Sequence, residues 1–302
     1  MKAIINFIKK IYKSNIFLFF IIQYARRARY QFTLPIARLL SKLIKLLPKH
    51  EKYEIIFHSE LNKNINKEMN SLLRDGIIIS KFNDQSTLKS LENLQKELKV
   101  YEELKSFDQN SKSSKVSLDK SFLKIITNYF SKSNLLSLAY DPKVIQMVYS
   151  YFGFYPSIYK IYVWHTQRYS DLPSTTQFFH RDHEDLNLLK LFVPLKEINF
   201  DNGPFQYISK THKNFLKEEF NKNIGLRDPL PSRLKLEKEI ENKNFSNIVT
   251  FTGKPTSFCL VDTNGLHRGK LLKEGSRFLV NIIYTSNFPH MNIPSPKYFS
   301  LF

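Results

Sequence analysis

Residues 178–213 read FFHRDHEDLNLLKLFVPLKEINFDNGPFQYISKTHK, and the succession of patterns in this stretch decides the fold. A polar turn from Asp182 to Asn187 is followed by the apolar run Leu188 to Leu195, long enough for one strand and too short for a helix of ordinary length. Asp201-Asn202-Gly203-Pro204 marks a second turn, and Phe205 to Ile208 resumes the extended pattern. The same grammar continues on either side. From Ser157 onward, short aromatic and β-branched runs recur between Pro, Gly, Asn and Asp, at about 157–165, 175–181, 188–196, 204–208, 247–252, 256–261, 264–269 and 277–285. Eight short strands without periodic helices between them imply a closed antiparallel jelly roll, a cupin-like double-stranded β-helix. Residues 209–246, rich in Lys, Glu and Asn, interrupt the series and are expected to form a helix and a loop over one mouth of the barrel.

The preceding segment, residues 51–156, reads as helical support, which makes the fold class mainly β with α. Tyr53 to Phe57 is a short β-like run, and Asp75-Gly76 is a turn feeding a strand at Ile77-Ile78-Ile79. Leu88, Leu91, Leu94 and Leu98 keep helical spacing to about Leu104. Helical patterns return at about Leu118 to Phe130 and at Pro142 to Phe152. The last has Asp141 as cap, Pro142 at the first helical position and Gly153 just past the end.

Within this frame one constellation carries chemistry. His180-Arg181-Asp182 is followed 85 positions later by His267, and ten residues further by Arg277. Two imidazoles and a carboxylate occupy one face of an octahedral iron(II) ion and leave three positions open for a co-substrate and dioxygen. The tripeptide alone says little, because H-x-[D/E] also occurs at His58/Glu60 and His183/Asp185. The middle pair stands apart by position. Thr176, Phe178, His180 and Asp182 share one face of a two-residue period, so both ligands follow an inward, apolar run, whereas His183 and Asp185 fall in a polar loop. Arg277 opens the last strand and is expected to point inward. A buried guanidinium needs an anion, and a dicarboxylate that chelates iron at one end presents its second carboxylate there, where the planar fork of Arg pairs best.

Composition bounds the alternatives. The chain has 302 residues, 42% of them apolar, enough for one large domain with appendages. A single cysteine, Cys259, excludes an internal disulfide and a thiolate metal cage, which fits a reducing, cytoplasmic location. The formal charge is +19, and residues 1–50 contribute eleven Lys or Arg with no Asp or Glu, interleaved with apolar runs such as Ile16 to Ile22. That combination suggests peripheral contact with the inner face of a membrane. Seven consecutive apolar residues do not span a bilayer, which needs roughly 20. No small-x-small cleavage site follows. No finger, helix-turn-helix or aromatic RNA motif accompanies the charge, so nucleic acid is not an expected partner.

Residues from about 75 to 285 resemble the phytanoyl-CoA dioxygenase family of Fe(II)- and 2-oxoglutarate-dependent oxygenases. The resemblance rests on DGIIISKF (75–82), on DPKVIQMVYSYFG (141–153), on the 178–213 stretch with its H-x-D, Asn-Gly-Pro and Thr-His-Lys ending, and on TSFCLVDTNGLHRGKLLKEGSRFLVNIIYTS (256–286). It implies that His180, Asp182 and His267 hold Fe(II), that 2-oxoglutarate chelates the metal through its C1 carboxylate and keto oxygen, and that Arg277 takes its C5 carboxylate. It further implies that dioxygen (O2) completes the site and that the products are succinate, carbon dioxide and an oxidised, usually hydroxylated, substrate. Two departures stand out: Lys210-Thr211 replaces Gly-Ser, and Gly269 replaces a hydroxyl residue found in some members, which leaves the C5 pocket with fewer donors. The substrate is expected to be a small, glycan or lipid-linked molecule. A metal-containing jelly-roll binding module without redox chemistry, and a membrane tether acting through residues 1–50, are the other two readings.

Several further residues are candidates on either of two readings. Lys190 shares the Leu188/Phe192 face of its strand and is a cosubstrate contact if that face is inward, or a solvent lysine if not. Gln167, 13 residues before His180, is a second cosubstrate candidate. Trp164 and His165 are pocket lining or packing, His212 a loop residue, His290 a surface residue and Cys259 a small core residue.

Overall fold

The computed structural model describes residues 63–110, 123–153, 156–168, 171–173, 175–182, 188–212, 233–242 and 246–285. The chain divides into two units, residues 1–49 and 50–302, and every described residue lies in the second. Among the described residues no helix is long and apolar enough to cross a membrane. The membrane-contact expectation for residues 1–50, the β-like run at Tyr53 to Phe57, the loop with His183 and Asp185, and His290 all lie outside the described residues.

In chain order the described elements are α1 (Lys63–Asp75), β1 (Ile77–Lys81), α2 (Gln85–Asn110), β2 (Leu123–Ile125), a 3₁₀ turn (Thr127–Tyr129), α3 (Lys132–Ala139), α4 (Pro142–Phe152) and β3 (Ser157–Gln167). A second 3₁₀ turn (Thr175–Gln177), β4 (Leu189–Pro194), β5 (Phe205–Ile208), α5 (Arg233–Asn242), β6 (Ile248–Phe251), β7 (Ser257–Val261), β8 (His267–Gly269) and β9 (Ser276–Thr285) follow. The strands form a six-stranded sheet, β1-β7-β4-β9-β3-β2, and a three-stranded sheet, β6-β5-β8, with antiparallel pairing throughout. This is the mainly β, jelly-roll architecture expected from residue 157 onward.

Side-chain alternation assigns the faces. Phe192, Phe205, Tyr207, Phe251, Cys259, Val261 and Leu279 form one buried cluster between the sheets, with Trp164 against it. Val163, Leu191, Val193, Val280 and Ile282 are equally buried but fall on the opposite face of the large sheet. Helices cover that outer face: Tyr101 of α2 packs on His165 and Phe278, and the Tyr284 hydroxyl donates to the Ala139 carbonyl of α3 at 2.7 Å. Strands buried on both faces explain why Leu188 to Leu195 is apolar at every position except Lys190.

α4 forms as its punctuation predicts. Asp141 accepts a hydrogen bond from the Val144 amide at 3.1 Å, and Gly153 adopts the left-handed conformation, φ 74°, while its amide closes on Tyr149.

Three expectations need correction. From Leu123 onward the segment expected to be helical is strand β2 plus a 3₁₀ turn. It is drawn to the free edge of β3, where Ile126 donates to the Val163 carbonyl and the Thr127 hydroxyl accepts from the Val163 amide, both at 2.9 Å. The strand expected at 175–181 is reduced to a 3₁₀ turn and one bridge, His180↔His267, and Thr175 at φ 42° breaks the extended backbone. Helix α5 of the insertion does not cap the mouth. Leu236 and Ile240 pack with Phe179, Ile208 and Leu266 on the outer side of the small sheet.

Candidate metal centre

The bridge between His180 and His267 is the foundation of the site. Each amide donates to the other's carbonyl at 2.9 Å, which sets the two residues directly opposite and brings their rings to a centroid separation of 4.3 Å. Each Nδ1 lies against a carbonyl, His180 on Phe178 at 2.8 Å and His267 on Gly265 at 2.9 Å. A carbonyl only accepts, so Nδ1 is the donor in each pair, and Nε2 is the ring nitrogen that a cation would use.

Asp182 completes the group. Its amide donates to the Thr263 carbonyl at 2.9 Å, which ties the turn after His180 to the loop before β8. Its carboxylate stands 3.2 Å from His267 Nε2 and 3.8 Å from His180 Nε2. One ligand atom from each of the three residues lies within 4.8 Å of the other two. Bonds of about 2.1 Å to a divalent ion put neighbouring ligand atoms roughly 3 Å apart, so the trio fits a cation with small adjustments. The two imidazoles are buried and the carboxylate is 18% exposed.

Lys190 points inward, is 5% exposed, and its ammonium donates to Asp182 Oδ2 at 2.7 Å. Burial alone would push the Asp182 carboxyl up. The Lys190 ammonium and the His267 imidazole outweigh that and hold it well below the usual carboxylate range. Of the two placements considered for Lys190, the structure shows the inward one, with the ammonium on the Asp182 carboxylate.

Arg277 lies on the inward face of β9, 7% exposed. Its Nη1 donates to the Gly203 carbonyl, its Nη2 lies 3.4 Å from the Thr166 hydroxyl, and its buried Nε has no hydrogen-bond partner. Among the described residues no carboxylate pairs with it. Burial lowers its pKa to about 10, so it is charged at neutral pH. Gly269 explains how the guanidinium fits: a Cβ there would stand 3.1 Å from Nη2 and 3.4 Å from Nη1. The glycine in place of a hydroxyl residue therefore makes room for the arginine, and the hydroxyl in this pocket comes from Thr166.

Between the two ends runs an aromatic wall. Phe205 is 5.6 Å from His267 and 4.8 Å from Phe192, and Phe192 is 6.2 Å from Trp164. Asn281, directly across from Phe192 and two positions from Leu279 on the same face, is fully buried with neither amide atom hydrogen-bonded. Buried polar atoms without partners are costly and point to a bound group.

The structure thus brings together His180, Asp182, His267 and Lys190, and sets Arg277 in the same interior. It does not bring Gln167, which is exposed at the end of β3, on the face opposite Thr166. On β3 it is Thr166, one position earlier, that faces Arg277. Thr166 and Asn281 escaped the sequence reading, although Thr166 lies two positions from Trp164 on the same strand face. Phe178 is only partly buried and Thr176 is exposed, so the two do not form the buried inward run expected before His180; Phe179 is buried, but against α5 on the outer side of the small sheet. His165 is buried beneath α2, not in the cavity, with Nδ1 3.2 Å from the Tyr101 hydroxyl. His212 lies in the loop after β5, as expected, and is buried there, with Nε2 3.3 Å from the Leu73 carbonyl. Cys259 is a core residue on β7, and burial pushes its thiol up.

No family model matches the sequence, and no curated protein matches it. Among solved structures, the chain is similar to the non-heme alpha ketoglutarate dependent carbocyclase SnoK from nogalamycin biosynthesis, with a TM-score of 0.50 and 10% identity over 75% of this chain and 85% of that one. HygX from Streptomyces hygroscopicus, with nickel and 2-oxoglutarate bound, gives 0.48 and 15% over 76% and 88%. EctD from S. alaskensis, with 2-oxoglutarate and 5-hydroxyectoine, gives 0.47 and 18% over 76% and 80%. The likeness to SnoK is one of fold, and it agrees with the double-stranded β-helix described above.

Proposed function

We propose that this protein is an Fe(II)- and 2-oxoglutarate-dependent oxygenase that hydroxylates a small-molecule, glycan or lipid-linked substrate, releasing succinate and carbon dioxide. The observation that carries the reading is the convergence of His180, Asp182 and His267, two imidazoles whose Nε2 atoms lie 3.8 and 3.2 Å from one carboxylate while each Nδ1 is held by a backbone carbonyl. This donor set suits a ferrous ion with open positions. The fold it shares with SnoK, described as a non-heme alpha ketoglutarate dependent carbocyclase, supports the same chemistry. The sequence blocks that resemble the phytanoyl-CoA dioxygenase family support a place within that family.

When bound, iron, 2-oxoglutarate and O2 supply the oxidising power. The chain's own residues bind, orient and shield. His180 and His267 are locked by their Nδ1 hydrogen bonds so that each presents Nε2. Asp182 would supply the charge of the ligand set, with Lys190 orienting its carboxylate. Arg277, already desolvated and lacking a carboxylate, receives the far carboxylate of 2-oxoglutarate, with Thr166 beside it. Phe192, Phe205 and Trp164 exclude water from the space between.

The test is anaerobic addition of Fe(II) and 2-oxoglutarate, where a chelated keto acid gives a visible charge-transfer band, followed by succinate measurement in air. His180→Ala or Asp182→Ala is expected to abolish both signals. Arg277→Ala is expected to keep metal binding and weaken 2-oxoglutarate binding roughly 10- to 100-fold, the worth of a charge-assisted pair. Full succinate turnover in all three variants would overturn the assignment.

A further inference from the structure

We infer that Glu237, in the segment inserted between β5 and β6, is a positioning residue for the metal centre. The inference rests on reading His180, Asp182 and His267 as metal ligands, and goes beyond it by assigning a role to a residue that touches none of them.

The need for such a residue follows from the strand that does not form. A regular strand at 175–181 would hold His180 through a ladder of backbone hydrogen bonds, but only the single bridge to His267 is present. The Phe179 amide, one residue before His180, therefore has no strand partner, although Phe179 is 1% exposed. Glu237 Oε2 accepts that hydrogen bond at 2.9 Å. The other carboxylate oxygen, Oε1, accepts from Nη1 of Arg268, one residue after His267. Along a strand successive side chains alternate, so His267 faces the cavity while Arg268 faces out towards α5. One buried carboxylate thus grips both ligand-bearing segments, each at the residue adjoining its imidazole.

The grip is stiff. Arg268 Nε also donates to Gln206 Oε1 on β5 at 2.9 Å, and its guanidinium lies 4.4 Å from the centre of the Phe179 ring. Leu236 and Ile240, flanking Glu237 on α5, pack into the cluster of Phe179, Ile208 and Leu266. A carboxylate carried by a rigid helix, with both oxygens engaged, fixes the spacing of the two histidines from behind. Supports of this kind, one step removed from the ligands, typically alter metal affinity about 10- to 100-fold when lost.

The experiment titrates the full-length protein with Co(II) alone, following visible d–d absorption, in wild type, Glu237→Ala, Glu237→Gln and Ile240→Ala. Glu237→Ala is expected to weaken Co(II) binding about 10- to 100-fold and to change the shape of the d–d band. Glu237→Gln keeps the volume but has one acceptor oxygen for two separated donors, and is expected to fall between wild type and Ala. Ile240→Ala loosens the same helix without touching the carboxylate. It should lower the melting temperature while leaving Co(II) affinity within about threefold, since its effect is one of packing alone. Wild-type affinity in Glu237→Ala overturns the inference, as does an equal loss in Ile240→Ala, which would make the helix mere packing. If Glu237→Ala does not fold, unchanged affinity in Glu237→Gln overturns it. Failure of the wild type to bind Co(II) would instead remove the metal-centre reading itself.

Discussion

His165 is the buried titratable residue whose effect is easiest to isolate. It stacks on Phe278 at 4.3 Å, bonds to Tyr101, and is pushed down to about 4, first by burial and then by Lys124, Lys105 and Lys196. An unfolded histidine takes up its proton below about 6.5, whereas the folded one does so only near 4. Stability from this residue is therefore fully present above pH 6.5 and is lost as pH falls towards 4, by on the order of 3 kcal/mol. Asp262 works in the opposite direction, because burial raises its folded value to about 6, so wild type must be compared with a variant. Urea unfolding from pH 7.5 to 5 should show a steeper loss in wild type than in His165→Phe; parallel curves would contradict the assignment. At this scale the sequence was informative where residue type combined with spacing decides, as for the His-Asp-His trio, which the fold brings together, and for Arg277 at the start of the last strand. It failed where parity decides. Thr166 and Gln167 differ by one position, and only the register of β3 on β9, Thr166↔Arg277, shows which of them faces the guanidinium.

Elements with their own punctuation were legible, and those shaped by a partner were not. α4 carries its cap, its proline and its terminal glycine within its own sequence. Asp141→Ala should cost about 1 kcal/mol, within a range of roughly 0.5–2, and Asp141→Asn much less, because the amide oxygen can still accept from Val144. Thermal unfolding of both variants checks this, and equal losses would show that the charge rather than the cap matters. The region from Leu123 to Phe130 had helical spacing but became an edge strand, because β3 offers unpaired backbone groups that a helix could not satisfy. The segment before His180 had the alternation of a strand, yet β8 is three residues long and meets it at His267 alone. Glu237 was invisible for a similar reason: a glutamate in a Lys- and Glu-rich helix looks solvent-exposed until tertiary packing places it beneath Arg268.

For the whole molecule, the centre links the turn after β3 to the small sheet, so a bound cation should stabilise the entire fold. At a free metal concentration 100 times Kd the gain is about 2.7 kcal/mol, or roughly 5–10 °C for a domain of this size. A chelator should reverse it, and no shift on adding Fe(II) or Co(II) would count against the site. Lys190→Met should lower the stability of the chelator-treated protein by about 3 kcal/mol, as expected for a buried carboxylate deprived of its counter-ion. It should lower that of the metal-loaded protein by less, since the cation takes over the neutralising role. The ion pair between Lys190 and Asp182 has a consequence for how the chain tolerates a chelator. Because a tethered ammonium already neutralises the carboxylate from within the sequence, the protein should still unfold in a single cooperative transition after chelation, at a lower temperature but without collapse of the barrel.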